Sequence, residues 1–248
     1  HLDVEAVVAS PLASAYACVT PEERELGVAL IEIGAQVTNI SVHSAGMLLG
    51  LKSIPLGSND ITDAIASSFG IRRSQAERLK CVSGSAMASP TDHSEMIPVN
   101  APGEEGEGPL ARGADEHNRI ARAELVAVVT DRLAHLTGEM HRSLKDMGFS
   151  GSRGGQVVLA GGGAELHGIA EFVQAALGRP VRIGKPPRLQ GLPEAHATPG
   201  FASLVGLCLY AADDPVDIRS VDPGYQPTRR YSGLGLVNRV FQAVREYF

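Results

Sequence analysis

The sequence contains no tryptophan, only three cysteines and no long apolar run. Cys18, Cys81 and Cys208 are odd in number and lack the C-x-x-C spacing of a zinc site. This pattern argues against a disulfide framework and favours a reducing compartment such as the cytoplasm. No segment approaches the roughly 20 apolar residues that a membrane-spanning helix needs. Any association with a membrane is therefore expected to be peripheral.

An excess of positive charge is also lacking. The net charge is −6 over 248 residues, and no basic block precedes residue 219, so no nucleic-acid partner is expected. A hydrophobic content of 44% can supply the core of one large or two modest domains. The chain begins at His1, without an initiator Met and within what looks like ongoing structure. We therefore expect an N-terminal portion to be missing.

The most informative stretch that is present spans residues 157–168. Its first three residues, Val-Val-Leu, predict a buried strand, and Gly161, Gly162 and Gly163 follow where main chain could lie against a ligand. Neither the dinucleotide fingerprint nor the P-loop pattern fits this stretch. From these residues alone, a tight turn between strand and helix and a nucleotide cradle both remain open.

Residue periodicity predicts a mixed α/β fold. The β-branched residues of 28–42 predict a β-hairpin around Gly34, and residues 47–54 predict a third strand. Gly206, among apolar residues of a predicted helix, indicates close packing of that backbone. A helix is predicted after the candidate caps Ser58, Asn59 and Asp60, and another over 75–81, with Ser74 and Glu77 as a capping box. Three more helices are predicted over 119–147, 166–177 and 201–210. Short strands are predicted near 96–99 and at 181–183.

Several of these segments resemble the second half of an actin-like ATPase, which has a ribonuclease H-like α/β fold. They are the hairpin with its glycine-containing tip, the helix AERLK at 76–80, the glycine turn and the helix that opens with Pro199-Gly200. The segments SIPLGSNDITDAIA at 53–66, LPEA at 192–195 and PGFASLVGL at 199–207 are similar to the FtsA family, which tethers FtsZ filaments to the bacterial membrane. The resemblance covers almost the whole chain.

The resemblance implies a division into subdomains. Residues 1–24 match the closing piece of the first large subdomain, and 25–56 with 129–212 match the second, nucleotide-binding large subdomain. Residues 57–128 match a small subdomain inserted into it. A linker at 213–232 and an amphipathic helix at 233–248 complete the chain.

The resemblance also implies ATP and Mg²⁺ as cofactors. Glu32 stands where the family usually has an Asp associated with a magnesium-bound water. The resemblance assigns no catalytic residue here. The chain is therefore expected to be an adaptor and at most a weak ATPase. Glu77 and Lys80 match ribose-binding positions, although their spacing without the resemblance favours a surface i,i+3 ion pair. The residues that match the phosphate-binding loop are Gly34, Ala35, Gln36, Val37 and Thr38. Ala35 and Gln36 are bulkier than the glycines that the family has in this loop. The residues that match the adenosine turn are Gly161, Gly162 and Gly163.

The C-terminal residues 234–248 have the pattern of a helix that lies on a membrane surface. Residues 219–248 carry five arginines against Asp222 and Glu246, a charge of +3 that leaves −9 for the rest. A basic amphipathic tail on an acidic body suits an anionic leaflet, although a helix packed on its own domain is the alternative. The residues predicted to contact the membrane are Val237, Val240, Phe241, Val244, Arg245 and Phe248.

The partners implied by the resemblance are FtsZ, further copies of the chain, anionic inner-membrane lipids and downstream division proteins, at the cytoplasmic face of the membrane at the division site. Arg72, Arg73 and Arg78 of the small subdomain are candidate contacts for the acidic FtsZ tail. A sugar kinase, a chaperone-type ATPase and a pilus-assembly relative remain alternatives. His135 and His141 are six residues apart, which indicates solvated helix positions and no metal site.

Overall fold

We describe the protein from a computed structural model that covers residues 4, 7–99, 119–149 and 155–213. The predicted membrane-contacting residues Val237, Val240, Phe241, Val244, Arg245 and Phe248 lie outside the described residues. Within the described ranges, no helix is both long enough and apolar enough to cross a bilayer.

A five-stranded mixed sheet forms the centre of the fold. Strand β1 runs antiparallel to β2 and parallel to β6; β3 and β7 are the two edges. The predicted hairpin and third strand are confirmed. All six residues of β1 are buried, as expected for a central strand that is covered on both faces. The sheet strands are β1 (Val28–Ile33), β2 (Thr38–Ser44), β3 (Met47–Ile54), β6 (Gln156–Ala160) and β7 (Val181–Ile183), and a second, two-stranded sheet contains β4 (Met96–Pro98) and β5 (Arg119–Ala121).

Helices cover both faces of the five-stranded sheet. Alternate residues of β1 point to opposite faces, so Ile31 and Ile33 pack in one apolar core while Leu30 packs in another. The first core also contains residues of α3, α5 and α6, and the second contains residues of α1 and α7. The helices are α1 (Ser10–Cys18), α2 (Pro21–Leu26), α3 (Ser58–Phe69), α4 (Arg73–Ser83), α5 (Arg122–Asp146), α6 (Ile169–Leu177) and α7 (Ala202–Asp213).

Several predicted helix starts are wrong. Ser74 and Glu77 do not form a capping box, because α4 begins at Arg73 and the Glu77 carboxylate bonds to Thr62 and Lys80 instead. Helix α5 begins three residues later than predicted, since β5 pairs with β4 there. Helix α6 begins only at Ile169, because Leu166 is extended, His167 forms a β-bridge with Ser85 and Gly168 has a left-handed φ of 75°. Helix α3 is preceded by Gly57, so the predicted caps Ser58, Asn59 and Asp60 lie inside the helix. Helices α1 and α2 were not predicted from the sequence.

Helices α1 and α7 cross at Gly206, and the predicted close packing of this residue is confirmed. A Cβ atom at position 206 would overlap the backbone carbonyl oxygen of Ala13. One turn away, the hydroxyls of Ser14 and Ser203 are 2.7 Å apart. The absence of a side chain therefore determines how closely α7 approaches α1.

Candidate functional site

A cavity of about 490 Å³ lies between α3, α4, α5 and the glycine turn that follows β6. Four of the predicted nucleotide-binding residues line it: Glu77 and Lys80 from α4, and Gly162 and Gly163 from the turn. Ile61, Leu133 and Ile169 supply apolar wall, and Ser58, Glu165 and His167 supply polar groups. An apolar enclosure with a few convergent polar groups is typical of a small-molecule site. We refer to it as the glycine-turn cavity.

Lys80 is a buried cation whose three N–H donors are all used. Its Nζ donates to Glu77 Oε2 at 2.8 Å, to Thr62 Oγ1 at 2.9 Å and to the Ser58 carbonyl oxygen at 3.2 Å. The i,i+3 ion pair expected from the sequence is present, but Lys80 is only 7% exposed. An ammonium group has three donors, so Lys80 positions its neighbours and has no spare donor for a ligand.

Glu77 is the carboxylate that Lys80 holds in the cavity wall. Burial raises the pKa of Glu77, but the hydrogen bonds from Lys80 and Thr62 outweigh this and bring its pKa below the usual value. The carboxylate is therefore ionised. Its second oxygen, Oε1, contacts only the Cys81 thiol, at 3.5 Å, within the part of the chain that the structure describes. Because a thiol is a weak donor, Oε1 keeps its capacity to accept hydrogen bonds from ligand hydroxyls.

The three consecutive glycines serve different purposes. Gly161 has φ +82°, and a Cβ there would lie 2.5 Å from the carbonyl oxygen of Ile33, while a Cβ at Gly163 would overlap the Ile33 side chain. These two glycines allow the turn to pack on β1. Gly162 differs, because a Cβ there would meet no atom of the described residues within 4 Å. Gly162 is thus where side-chain-free backbone faces the open cavity.

The hairpin tip, residues 34–37, lies beside the first turn of α3. The carbonyl oxygens of Gly34 and Ala35 accept hydrogen bonds from the N–H groups of Ser58 and Asn59, at 2.9 and 2.8 Å. Among the described residues, the N–H groups of Ala35, Gln36 and Val37 have no acceptor, and all three residues are exposed. Successive unpaired N–H groups can bind an anion.

Thr38 differs from the rest of the predicted loop because it belongs to β2. It is fully buried, and its Oγ1 has no hydrogen-bond partner within the described part of the chain. Its hydroxyl consequently faces the protein interior.

Glu32 does not line the glycine-turn cavity. Its carboxylate projects to the opposite face of the sheet, where it accepts hydrogen bonds from the hydroxyls of Ser10 at 2.6 Å, Ser14 at 2.8 Å and Ser203, and from the Asn39 amide at 3.3 Å. The side chain joins β1 to α1 and α7. Across the described ranges, no group of three or more His, Cys, Asp or Glu side chains could hold a metal ion.

The three arginines predicted to contact FtsZ are exposed and are not among the residues that line the cavity. Arg72 and Arg73 lie at the start of α4, and Arg78 lies in the middle of this helix. The Arg73 guanidinium donates to Asp63 at 2.6 Å and is thus engaged in an ion pair. His135 and His141 are exposed on α5, as predicted.

His167 follows the glycine turn, and its position in the sequence favours a residue that merely follows the turn over one that contacts a nucleotide; the structure places it in the lining of the cavity. Its Nδ1 lies 3.2 Å from Ser85 Oγ, and its carbonyl oxygen accepts the N–H of Ala86 at 2.8 Å. The two partners are 82 positions apart, so no local pattern could have indicated the contact. They meet because the segment that follows α4 forms a β-bridge with His167.

The chain matches one protein family over most of its length. The family model for "Cell division protein FtsA" matches residues 29–206. The FtsA protein of Agrobacterium fabrum is 34% identical over 249 residues, which cover 100% of this chain and 54% of that protein. The FtsA protein of Escherichia coli K12 is 32% identical over 216 residues, which cover 86% of this chain and 50% of the relative. The chain spans about half the length of the curated relatives it matches.

Solved structures confirm the predicted fold. MreB5 of Spiroplasma citri bound to ADP has a TM-score of 0.63 at 16% identity, over 88% of this chain and 62% of the other. The PilM–PilN type IV pilus biogenesis complex has a TM-score of 0.59 at 20% identity, over 83% and 52%. These likenesses show an actin-like fold. Because the family model covers well over half of the sequence, the chain belongs to the FtsA family of cell division proteins.

Proposed function

We propose that this chain binds ATP in the glycine-turn cavity and that the nucleotide-bound protein anchors FtsZ polymers to the cytoplasmic face of the membrane. The observation that carries the nucleotide part is the pairing of the open backbone at Gly162 with the ionised Glu77 carboxylate in one cavity. The likeness to MreB5, which was solved with ADP, supports this assignment.

Each described group has a role suited to part of the ligand. Glu77 Oε1 accepts hydrogen bonds from the ribose hydroxyls, while Lys80 holds the carboxylate in place. The backbone at Gly162 lies against the nucleoside. The unpaired N–H groups of residues 35–37 meet the phosphates. Mg²⁺ would accompany the phosphates. An association of Glu32 with this Mg²⁺ remains a proposal.

Replacing Gly162 with alanine should weaken ATP binding without unfolding the protein. The added methyl group meets no atom of the described residues within 4 Å, and it occupies space in the cavity that the proposed ligand needs. We expect the Kd for ATP, measured by isothermal titration calorimetry, to rise about tenfold, which corresponds to about 1.4 kcal/mol. Gly138→Ala is the matched control, because Gly138 is exposed on α5 and far from any neighbour. An unchanged Kd for ATP in the Gly162→Ala protein would show that ATP does not bind against this turn.

The anchoring part of the proposal rests on family membership and on the charge of the chain. The FtsA relatives are cell division proteins by name, and the acidic body with its basic amphipathic tail suits an anionic leaflet. One tail binds weakly and reversibly, but many tails along an FtsZ polymer bind with high avidity. The small subdomain at 57–128 would contact FtsZ, self-association would array the copies, and downstream division proteins would join the assembly.

Flotation with anionic liposomes tests the anchoring. The whole protein should carry FtsZ polymers to the liposomes, and a version that ends at Ser232 should leave them in solution, because it lacks the amphipathic tail. A version with Arg72→Glu and Arg73→Glu should float by itself but recruit less FtsZ. Recruitment by the truncated version would contradict the role of the tail, and full recruitment by the double variant would exclude the arginine patch.

A further inference from the structure

The hydrogen bond between Ser85 and His167 determines which ring nitrogen of the histidine carries a proton. The Ser85 hydroxyl donates to the Met87 carbonyl oxygen at 2.8 Å and accepts the Met87 N–H at 3.0 Å. A hydroxyl has one proton, and that proton is already directed at an oxygen that can only accept. The 3.2 Å contact between Ser85 Oγ and His167 Nδ1 therefore requires the imidazole to donate. Nδ1 carries the proton.

The surrounding structure holds the ring in this orientation. Ser85 is only 2% exposed, and its backbone forms a parallel β-bridge with His167. The N–H of the next residue, Ala86, donates to the His167 carbonyl oxygen. The Nδ1 edge of the ring is thus fixed on a buried partner, and the histidine as a whole lines the glycine-turn cavity.

The opposite ring nitrogen, Nε2, has no hydrogen-bond partner among the described residues. In a neutral imidazole with its proton on Nδ1, Nε2 can only accept a hydrogen bond. His167 thus offers a nitrogen acceptor in the lining of the cavity, in addition to the Glu77 carboxylate. A ligand that matches both acceptors carries hydroxyls as well as an N–H donor.

The geometry points to His167 as the residue that selects the base, an inference that rests on the proposed ATP site. Nε2 accepts a hydrogen bond from the 6-amino group of a purine. A 6-oxo purine would instead place a carbonyl oxygen against the nitrogen lone pair, which is unfavourable for two acceptors. Glu77 does not distinguish a 6-amino from a 6-oxo purine nucleotide, because the ribose hydroxyls that it binds are the same in both. The site therefore prefers purines with an amino group at position 6 over purines with an oxo group there.

Affinities for ATP and for ITP, which carries a 6-oxo group, test this inference in the whole protein. We expect ATP to bind about tenfold more tightly than ITP. His167→Phe keeps an aromatic ring without an acceptor, so ATP binding should weaken about tenfold while ITP binding stays constant, and the ratio should fall to about one. Ser85→Ala leaves the ring without its fixed partner and should lower the ratio about threefold. His141→Phe, on the exposed face of α5, is the control that should retain the full ratio.

The outcomes separate the inference from the proposed function. If the unaltered protein binds ATP and ITP equally, or if His167→Phe keeps the tenfold ratio, base selection by His167 is overturned while the nucleotide site stands. If His167→Phe fails to fold, Ser85→Ala decides, and an unchanged ratio in that variant overturns the inference. If neither nucleotide binds the unaltered protein, both the proposed function and the inference are overturned.

Discussion

Gly206→Ala should lower the free energy of unfolding by about 3 kcal/mol or more. The new methyl group would overlap the backbone carbonyl oxygen of Ala13, and a backbone atom cannot move aside as the end of a flexible side chain can. Helix α7 would have to shift away from α1, which would also disturb the contact between Ser14 and Ser203. Urea denaturation followed by circular dichroism measures the loss.

Gly138→Ala is the matched control for this substitution. Gly138 lies in the interior of α5 and is exposed, and a methyl group added there would have no neighbour within 4 Å. Alanine is a better helix former than glycine, so this variant should be more stable by about 0.5 to 1 kcal/mol. Opposite signs at the two positions would identify the helix crossing as the cause. A Gly206→Ala protein of unchanged stability would show that α7 does not pack on α1 in this way.

Glu32→Ala should have a comparably large effect on stability, in the absence of any nucleotide. The substitution removes the acceptor of three serine hydroxyls and of the Asn39 amide. Donors that are left unsatisfied in a buried site cost about 1 to 3 kcal/mol each, although those that reach water cost less. We expect a loss of about 3 kcal/mol in the free energy of unfolding, measured by urea denaturation of the nucleotide-free protein.

The same variant distinguishes a structural role of Glu32 from a magnesium-associated one. Glu22→Ala is the control, because Glu22 is an exposed carboxylate at the start of α2 and should change stability by less than about 0.5 kcal/mol. If Glu32 acts mainly on the hydration shell of Mg²⁺, Glu32→Ala would keep its stability and lose affinity for ATP only when Mg²⁺ is present. That result would contradict the structural role that the hydrogen bonds indicate.

The sheet and the family could be predicted because their signals are local. Strands β1 and β6 are apolar on both faces, and β3 follows a two-residue turn at Ala45 and Gly46, so short windows of sequence contain what is needed. The helix starts were less accurate, since they depend on contacts outside the helix. Glu77, for example, fits a capping box by spacing, yet it bonds to Thr62 on α3. Distant partners outweigh local capping preferences at such positions.

The sequence by itself determined the α/β class, the strands of the five-stranded sheet and the resemblance to the FtsA family, because apolar periodicity and short motifs are properties of neighbouring residues. Tertiary structure alone decided that Gly162 faces open space while Gly161 and Gly163 pack on Ile33. It also directed Glu32 away from the cavity and joined His167 to Ser85. These assignments depend on which strand or helix lies opposite a residue, and that relation arises only when segments far apart in the chain pack together.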